Sequence, residues 1–128
     1  MSHFTTIETQ IRDIEALKGA CMELGLVLDD AGEARGYDGR TQAGEYVIRL
    51  KGPYDIAVNR QESGLFQLAT DWYQGHVEKE VGQDFRRLIQ LYGVHKTMIE
   101  ARKKGCTVSR TKIGNDAVKI RITGGHIS

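Results

Sequence analysis

The side chains with chemistry beyond packing are few and scattered. Histidines stand at positions 3, 76, 95 and 126, and cysteines at 21 and 106. A structural zinc site gathers four ligands, usually at short spacing on one or two elements. None of His3, His76, His95 and His126 shares such a spacing with another ligand residue on one expected element, so no metal and no cofactor is expected. His95 falls on the apolar stripe of an expected helix, the place of a core histidine with a satisfied hydrogen bond. His3 falls in an expected first strand, where it would help to order the N-terminus. Cys21 and Cys106 form no CxxC pair, and each reads as a small buried apolar residue. A reactive thiolate needs positive charge close by. Cys106 follows Arg102, Lys103 and Lys104, but it stands where a helix hands over to a strand and is expected to face the core. Ser63-Gly64 and Ser109-Arg110 fit no nucleophile elbow. No GxGxxG or GxxxxGK[ST] precedes a helix, so Tyr37-Asp38-Gly39 and Thr123-Gly124-Gly125 read as turns. No catalytic residue is expected from any of these.

Asp71-Trp72-Tyr73 is the most distinctive polar-aromatic cluster. It reads either as a buried tryptophan with its indole N–H bonded nearby or as an aromatic anchor at an interface. Strand alternation sends Trp72 to one face and Asp71 to the other. By the same alternation one sheet face could present Arg35, Tyr37, Arg49, Asp71, Lys119 and Arg121. These six with Trp72 are the candidate contact residues, for a protein or for an anionic ligand. Sheet platforms for single-stranded RNA combine basic residues with exposed aromatics. Here only Tyr37 and Tyr73 would serve, and nucleic acid is not the favoured partner.

These residues must be held by regular elements. Residues 3–8 read as a strand rich in β-branched and aromatic types. Asp13 reads as an N-cap, and Ile14, Leu17, Cys21 and Leu24 recur at helical spacing until Gly25 stops a helix over 14–24. Strands follow at 33–37, 46–50, 54–60 and 65–73, separated by Asp38-Gly39, Gly52-Pro53 and Ser63-Gly64. Residues 74–82 read as polar and irregular. Phe85, Leu88, Tyr92, His95 and Ile99 are the stripe of an amphipathic helix over 83–104, with Ile89 widening it and Gly105 closing it. Gly93 inside that helix marks either close packing or a kink. Residues 106–113 and 117–123 form a last hairpin around Gly114-Asn115-Asp116, with Val118, Ile120 and Ile122 facing in. The expected fold is one α+β domain over 1–128, with the order β-α-β-β-β-β-α-β-β. It is an antiparallel twisted sheet of about seven strands with two helices packed on one face. The other face would be open or covered by a partner.

Composition fits this reading. A chain of 128 residues, 40% hydrophobic and 27% charged, can bury a core without disulfides. No apolar run approaches the ~18 residues of a membrane span, and the opening MSHFTTIETQIRD is no signal peptide. The expected compartment is the cytoplasm. The net charge of +1 hides a split. Residues 1–82 carry 8 Lys/Arg against 14 Asp/Glu, and residues 83–128 carry 10 against 3. The favoured reading is that the halves neutralise each other within one domain; the alternative is an anionic partner.

Several stretches resemble one family. They are Met1-Ser-His-Phe-Thr-Thr-Ile7, Ile11–Leu17, Arg35-Gly-Tyr37, Tyr54-Asp-Ile56, Ala69-Thr-Asp-Trp72 and Tyr92-Gly-Val-His-Lys96. The family is that of the hypothetical chloroplast reading frame thirty-five, whose members also occur in cyanobacteria and other bacteria. The resemblance covers nearly the whole chain in the same order. It implies a small protein of the cytosol or plastid stroma, and it brings no activity, cofactor or catalytic residue. The expected function is therefore a non-enzymatic accessory or protein-interaction domain that docks on a larger assembly or self-associates. One alternative is a module that binds RNA or an anionic small ligand through the basic open sheet face. Another is a small enzyme of unrecognised class assembled from His3, His95, Asp71 or Cys106.

Overall fold

The computed structural model describes residues 3–113 and 117–124; the expected turn at 114–116 and His126 lie outside them. The chain is α+β, with seven antiparallel strands and two main helices in the expected order. The strands are β1 (Phe4–Glu8), β2 (Val27–Arg35), β3 (Thr41–Arg49), β4 (Ile56–Arg60), β5 (Phe66–Asp71), β6 (Thr107–Ile113) and β7 (Ala117–Thr123). The helices are α1 (Ile14–Glu23), a single turn α2 (Glu78–Val81) and α3 (Arg86–Lys103). The strands divide into a five-stranded sheet, ordered β1-β5-β4-β3-β2, and a separate two-stranded ribbon, β6-β7.

Helix α1 starts as its sequence dictates. Asp13 Oδ1 accepts the Glu15 and Ala16 N–H groups at 3.0 and 3.3 Å, which satisfies two otherwise unpaired donors. The Tyr92 hydroxyl of α3 accepts the Arg12 and Asp13 N–H groups, both at 3.1 Å, and so fixes the helix entry from the other side. Leu17, Ala20 and Cys21 are fully buried against the sheet and α3. Gly19 lies tightly against α3: a Cβ there would stand 2.6 Å from His95 Nδ1. The main core lies between the helices and one sheet face, filled by Ile48, Ile56, Val58, Phe66, Leu68, Phe85 and Leu88. Alternation along β4 and β5 is what delivers Ile56, Val58, Phe66 and Leu68 to that face.

Residues 74–82 are more ordered than their polarity suggests. Val77 and Val81 are fully buried, and α2 closes the end of the core. Helix α3 begins later than its stripe implies, after a 3-10 turn at Gln83–Phe85 in which Asp84 (φ 52°) and Phe85 (φ 64°) are left-handed. Ile89 is 36% exposed and does not join the buried stripe. Gly93 marks neither close packing nor a break: an added Cβ would meet nothing within 4 Å, and α3 runs through it.

The second sheet face is not open. Strands β2 and β3 pair in register from Val27↔Arg49 to Asp30↔Tyr46 and again from Gly32↔Gly44 to Arg35↔Thr41. Between these blocks the hairpin doubles back. Ala31 (φ 56°) and Gly32 (φ 146°) take conformations that turn β2. On β3, Gly44 passes so close over β4 that a Cβ would lie 3.1 Å from the Val58 nitrogen and 3.3 Å from the Ala57 Cα. The hairpin tip therefore roofs the back of the sheet. Ala34 is fully buried there with Val47, Ala57 and Ala69, and Phe4 packs at the margin.

Because Gly93 meets open space inside a helix, Gly93→Ala is expected to stabilise the protein by roughly 1 kcal/mol. Urea denaturation followed by circular dichroism measures this; an unchanged or lower midpoint would contradict it.

Candidate functional site

Two neighbouring carboxylates hold the hairpin roof. Ile56 pairs with Thr70 across β4 and β5, and the same register carried outward puts Asp55 opposite Asp71. Both are fully buried. Asp55 is satisfied by the hairpin itself. Arg35 Nε and its backbone N–H donate to Oδ2 at 2.7 and 3.0 Å, and Arg35 Nη2 donates to Oδ1 at 2.8 Å. Arg49 Nη1 adds 3.1 Å to Oδ2, and the Leu50 N–H adds 3.2 Å to Oδ1. Burial alone would push the Asp55 carboxyl up, but the Arg35 side chain and the main-chain donors of Arg35 and Leu50 outweigh it and hold the carboxyl below its ordinary range. Arg49 also reaches Asp29 Oδ2 at 2.9 Å and the Glu33 carbonyl at 2.8 Å, tying both halves of β2 together.

Asp71 joins two similar turns. Tyr37-Asp38-Gly39 and Tyr73-Gln74-Gly75 are both 3-10 turns with a left-handed middle residue and glycine. The Tyr37 N–H donates to Asp71 Oδ2 and the Tyr73 N–H to Oδ1, each at 3.0 Å. The two rings lie against each other, with centroids 4.4 Å apart. Tyr54 is buried beside them. Desolvation raises its phenol pKa, and the Asp71 charge, Tyr73 and Tyr37 add to the rise. The His76 ring meets Tyr54 edge-on at 5.4 Å. Trp72 goes to the helix side, as alternation requires, with its ring 4.7 Å from that of Phe85.

The remaining candidates lie elsewhere. In the β6-β7 ribbon Ser109 pairs with Arg121 and Thr111 with Lys119. These four line a recess of about 350 Å³. The opposite face carries Val108, Ile120 and Ile122, with Ile122 bordering a groove against Ala101 and Lys104 of the helix end. The ribbon is tied back by Arg110, whose Nη1 and Nη2 donate to the two Glu23 carboxylate oxygens, both at 2.7 Å. His95 Nε2 lies 2.9 Å from Glu23 Oε1. The Arg110 hydrogen bonds, opposed by burial and helped by His95, hold the Glu23 carboxyl at about 2.

The seven sequence candidates are thus split. Arg35, Tyr37, Arg49 and Asp71 come together, but as the clamp that closes the sheet face. Trp72 is partly buried and packs against the core, and Lys119 and Arg121 lie on the ribbon. The basic open face expected to bind RNA or a small anion does not exist as a continuous surface, because the hairpin tip occupies it. Nor do the residues weighed for an enzyme converge. His95 faces α1, Cys106 borders the ribbon groove, and Asp71 lies on the far side of the sheet. Burial pushes the Cys21 thiol up to about 12. Among the described residues no group of three His, Cys, Asp or Glu is placed to hold a metal ion, and no helix is long and apolar enough to cross a membrane. Tyr73 is the aromatic that the sequence set beside Tyr37, whereas Asp55, Ser109 and Thr111 are not among the contact residues expected from the sequence. Asp55 shares a face with Asp71 by alternation, and the last hairpin's pairing follows from its turn, so both signals were present.

The fold and these contacts define a class: an α+β protein with a self-roofed sheet and a projecting β-ribbon. Residues 20–123 match the family described as "Protein of unknown function (DUF1257)", and the chain belongs to it. That description names no activity. No curated protein and no solved structure shows significant similarity to the chain.

Removing the Asp55 carboxylate takes the acceptor from the Arg35 and Leu50 N–H groups, at a cost of about 1–3 kcal/mol each, while Arg35 and Arg49 keep contact with water. Asp55→Ala is expected to lose stability on that scale in urea denaturation; a loss under about 1 kcal/mol would refute the clamp. Glu23 gives a pH signature. Its pKa is depressed in the folded state from an ordinary value of 4.5. Its stabilisation is therefore full above pH 4.5 and disappears as pH falls toward 2. The stability gap between wild type and Glu23→Gln should be widest near neutral pH and close by pH 2; a gap independent of pH would contradict the assignment.

Proposed function

We propose that this protein is a non-enzymatic interaction module and that the β6-β7 ribbon is its contact element, seated on an anionic macromolecular surface. The observation that carries this reading is the ribbon's isolation. Among the described residues it pairs with no strand of the five-stranded sheet, and neither of its outer edges has a strand partner. A two-stranded ribbon on its own is marginal in water and gains from a further surface. Its Lys119 and Arg121 have no acidic partner among the described residues. The groups that could otherwise do chemistry are spent on structure: Asp55 and Asp71 on the hairpin clamp, and His95 on Glu23.

A second reading is contact with another protein or with a second copy by strand addition. The free edges favour it, as does the exposure of Ile113 (51%) and Ile122 (47%). Light scattering across a concentration series separates self-association from the first reading. Both cysteines are free, which suits a reducing cytoplasm. The motifs shared with the chloroplast reading frame thirty-five family support a narrower place within the DUF1257 proteins, and with it the plastid stroma as the alternative compartment.

Retention on a heparin column tests the anionic contact. The wild-type chain should elute at clearly higher salt than a Lys119→Glu, Arg121→Glu double variant. Co-elution of the two folded proteins would remove the ribbon from the binding surface.

A further inference from the structure

We infer that the anionic surface taken by the ribbon is duplex DNA, with the Ser109/Thr111/Lys119/Arg121 face entering the major groove. The inference rests on the ribbon being the contact element. The B-form major groove is about 12 Å wide and admits a two-stranded β-ribbon. Adjacent strands lie about 4.8 Å apart, which leaves room within that width for side chains on both. Each strand here has seven residues, so the ribbon is about 20 Å long at roughly 3.3 Å per residue.

The composition of the outward face agrees with this ligand. Register puts Thr107, Ser109, Thr111, Ile113, Ala117, Lys119, Arg121 and Thr123 on one side, with Ser109 opposite Arg121 and Thr111 opposite Lys119. Six of these eight residues can donate a side-chain hydrogen bond, two are cations, none is acidic, and the apolar Ile113–Ala117 pair stands at the turn end of the face. Arg and Lys pair with guanine O6 and N7, while Ser and Thr hydroxyls reach bases or phosphates. The reverse side carries Val108, Val118, Ile120 and a half-exposed Ile122 together with Arg110 and Lys112; it is the side tied to the helices through Arg110, so the donor face is the one turned outward. Chain segment 101–124 carries seven Lys/Arg and one acid, so phosphates flanking the groove would meet cations.

The same face argues against other nucleic acids. It carries no aromatic ring, and binding to single strands relies on base stacking. The A-form major groove is deep and too narrow for side chains to read, so duplex RNA offers the ribbon no entry. An acidic protein would satisfy the cations but leaves the hydroxyl ladder without a distinct role.

Fluorescence anisotropy with the whole chain tests this, using a labelled 20-base-pair DNA duplex, an RNA duplex of the same sequence, one DNA strand alone, and poly-glutamate as competitor. The DNA duplex should bind tightest, with affinity falling steeply as salt rises. Lys119→Gln with Arg121→Gln should weaken it by about tenfold or more, with folding checked by circular dichroism. Independently of any variant, the bound protein should protect guanine N7 from dimethyl sulfate, because that atom lies in the major groove. Equal affinity for all three nucleic acids, displacement by poly-glutamate at matched charge, or absence of N7 protection would each overturn the groove inference. Heparin retention would survive those results, so they leave the ribbon reading standing. Loss of heparin retention and DNA binding together would remove both.

Discussion

An ionised carboxylate out of contact with water is costly unless donors surround it. Asp55 has them, and all five come from the β2-β3 hairpin: three from Arg35, one from Arg49 and one from Leu50. The charge is therefore tolerable only while the hairpin tip lies over the sheet. If the tip lifted, Asp55 would lose Arg35 while Ala34, Val47, Ala57 and Ala69 became wet. Ion pairs of this kind add little net stability over apolar packing, yet breaking one is expensive. Asp55 thus acts mainly by selecting one hairpin conformation over the alternatives.

Asp71 completes that selection from the neighbouring strand. Its two oxygens take one backbone donor from the hairpin tip and one from the turn after β5, which brings the Tyr37 and Tyr73 rings into contact. The rest of the back face follows from this closeness. A close backbone roof favours small residues at the contact, hence Ala34 on the hairpin and Ala57 and Ala69 on the sheet, with Val47 the largest fully buried residue there. Gly36 and Gly44 sit where Phe4 and β4 approach the roof. The helix side has no such roof and takes Phe66, Leu68 and Phe85. The two faces of one sheet differ in side-chain size because different objects cover them.

This explains what was legible beforehand. Period-two alternation found β4 and β5 and sorted Trp72 from Asp71, because it depends only on which face each residue meets. Helical spacing and the Asp13 cap found α1 within one residue. The acidic run 27–35 carried no alternation, since β2 is an edge strand with most of its side chains in water. The fold-back was written in Ala31-Gly32 and Gly44, but glycines at a reversal within a hairpin read like glycines at any turn. Strand pairing across the whole chain leaves no periodic trace. Seven strands were therefore visible, while their division into five and two was not. The candidate residues suffered for the same reason: Arg35 and Asp71 do share a surface, but another part of the chain already covers it.

The charge split between the two halves is resolved unevenly by the structure. Front-half acids do meet back-half bases where the helices touch: Asp13 with Lys96 at 3.2 Å, and Glu23 with Arg110 at 2.7 Å. Those pairs sit between α1, α3 and the middle of β6. They neutralise the seam between the helices and the inner face of the ribbon and go no further. Arg110 and Lys119 lie on opposite faces of that ribbon, so Glu23 can satisfy the first and cannot reach the second. Of the strand cations that remain, Lys119 and Arg121 face away from the fold by alternation on β7, while Lys112 shares the face of Arg110. Internal neutralisation and the outward Lys119 and Arg121 are thus two faces of one hairpin, and the Glu23–Arg110 tie that accomplishes the first also fixes how the second pair is presented.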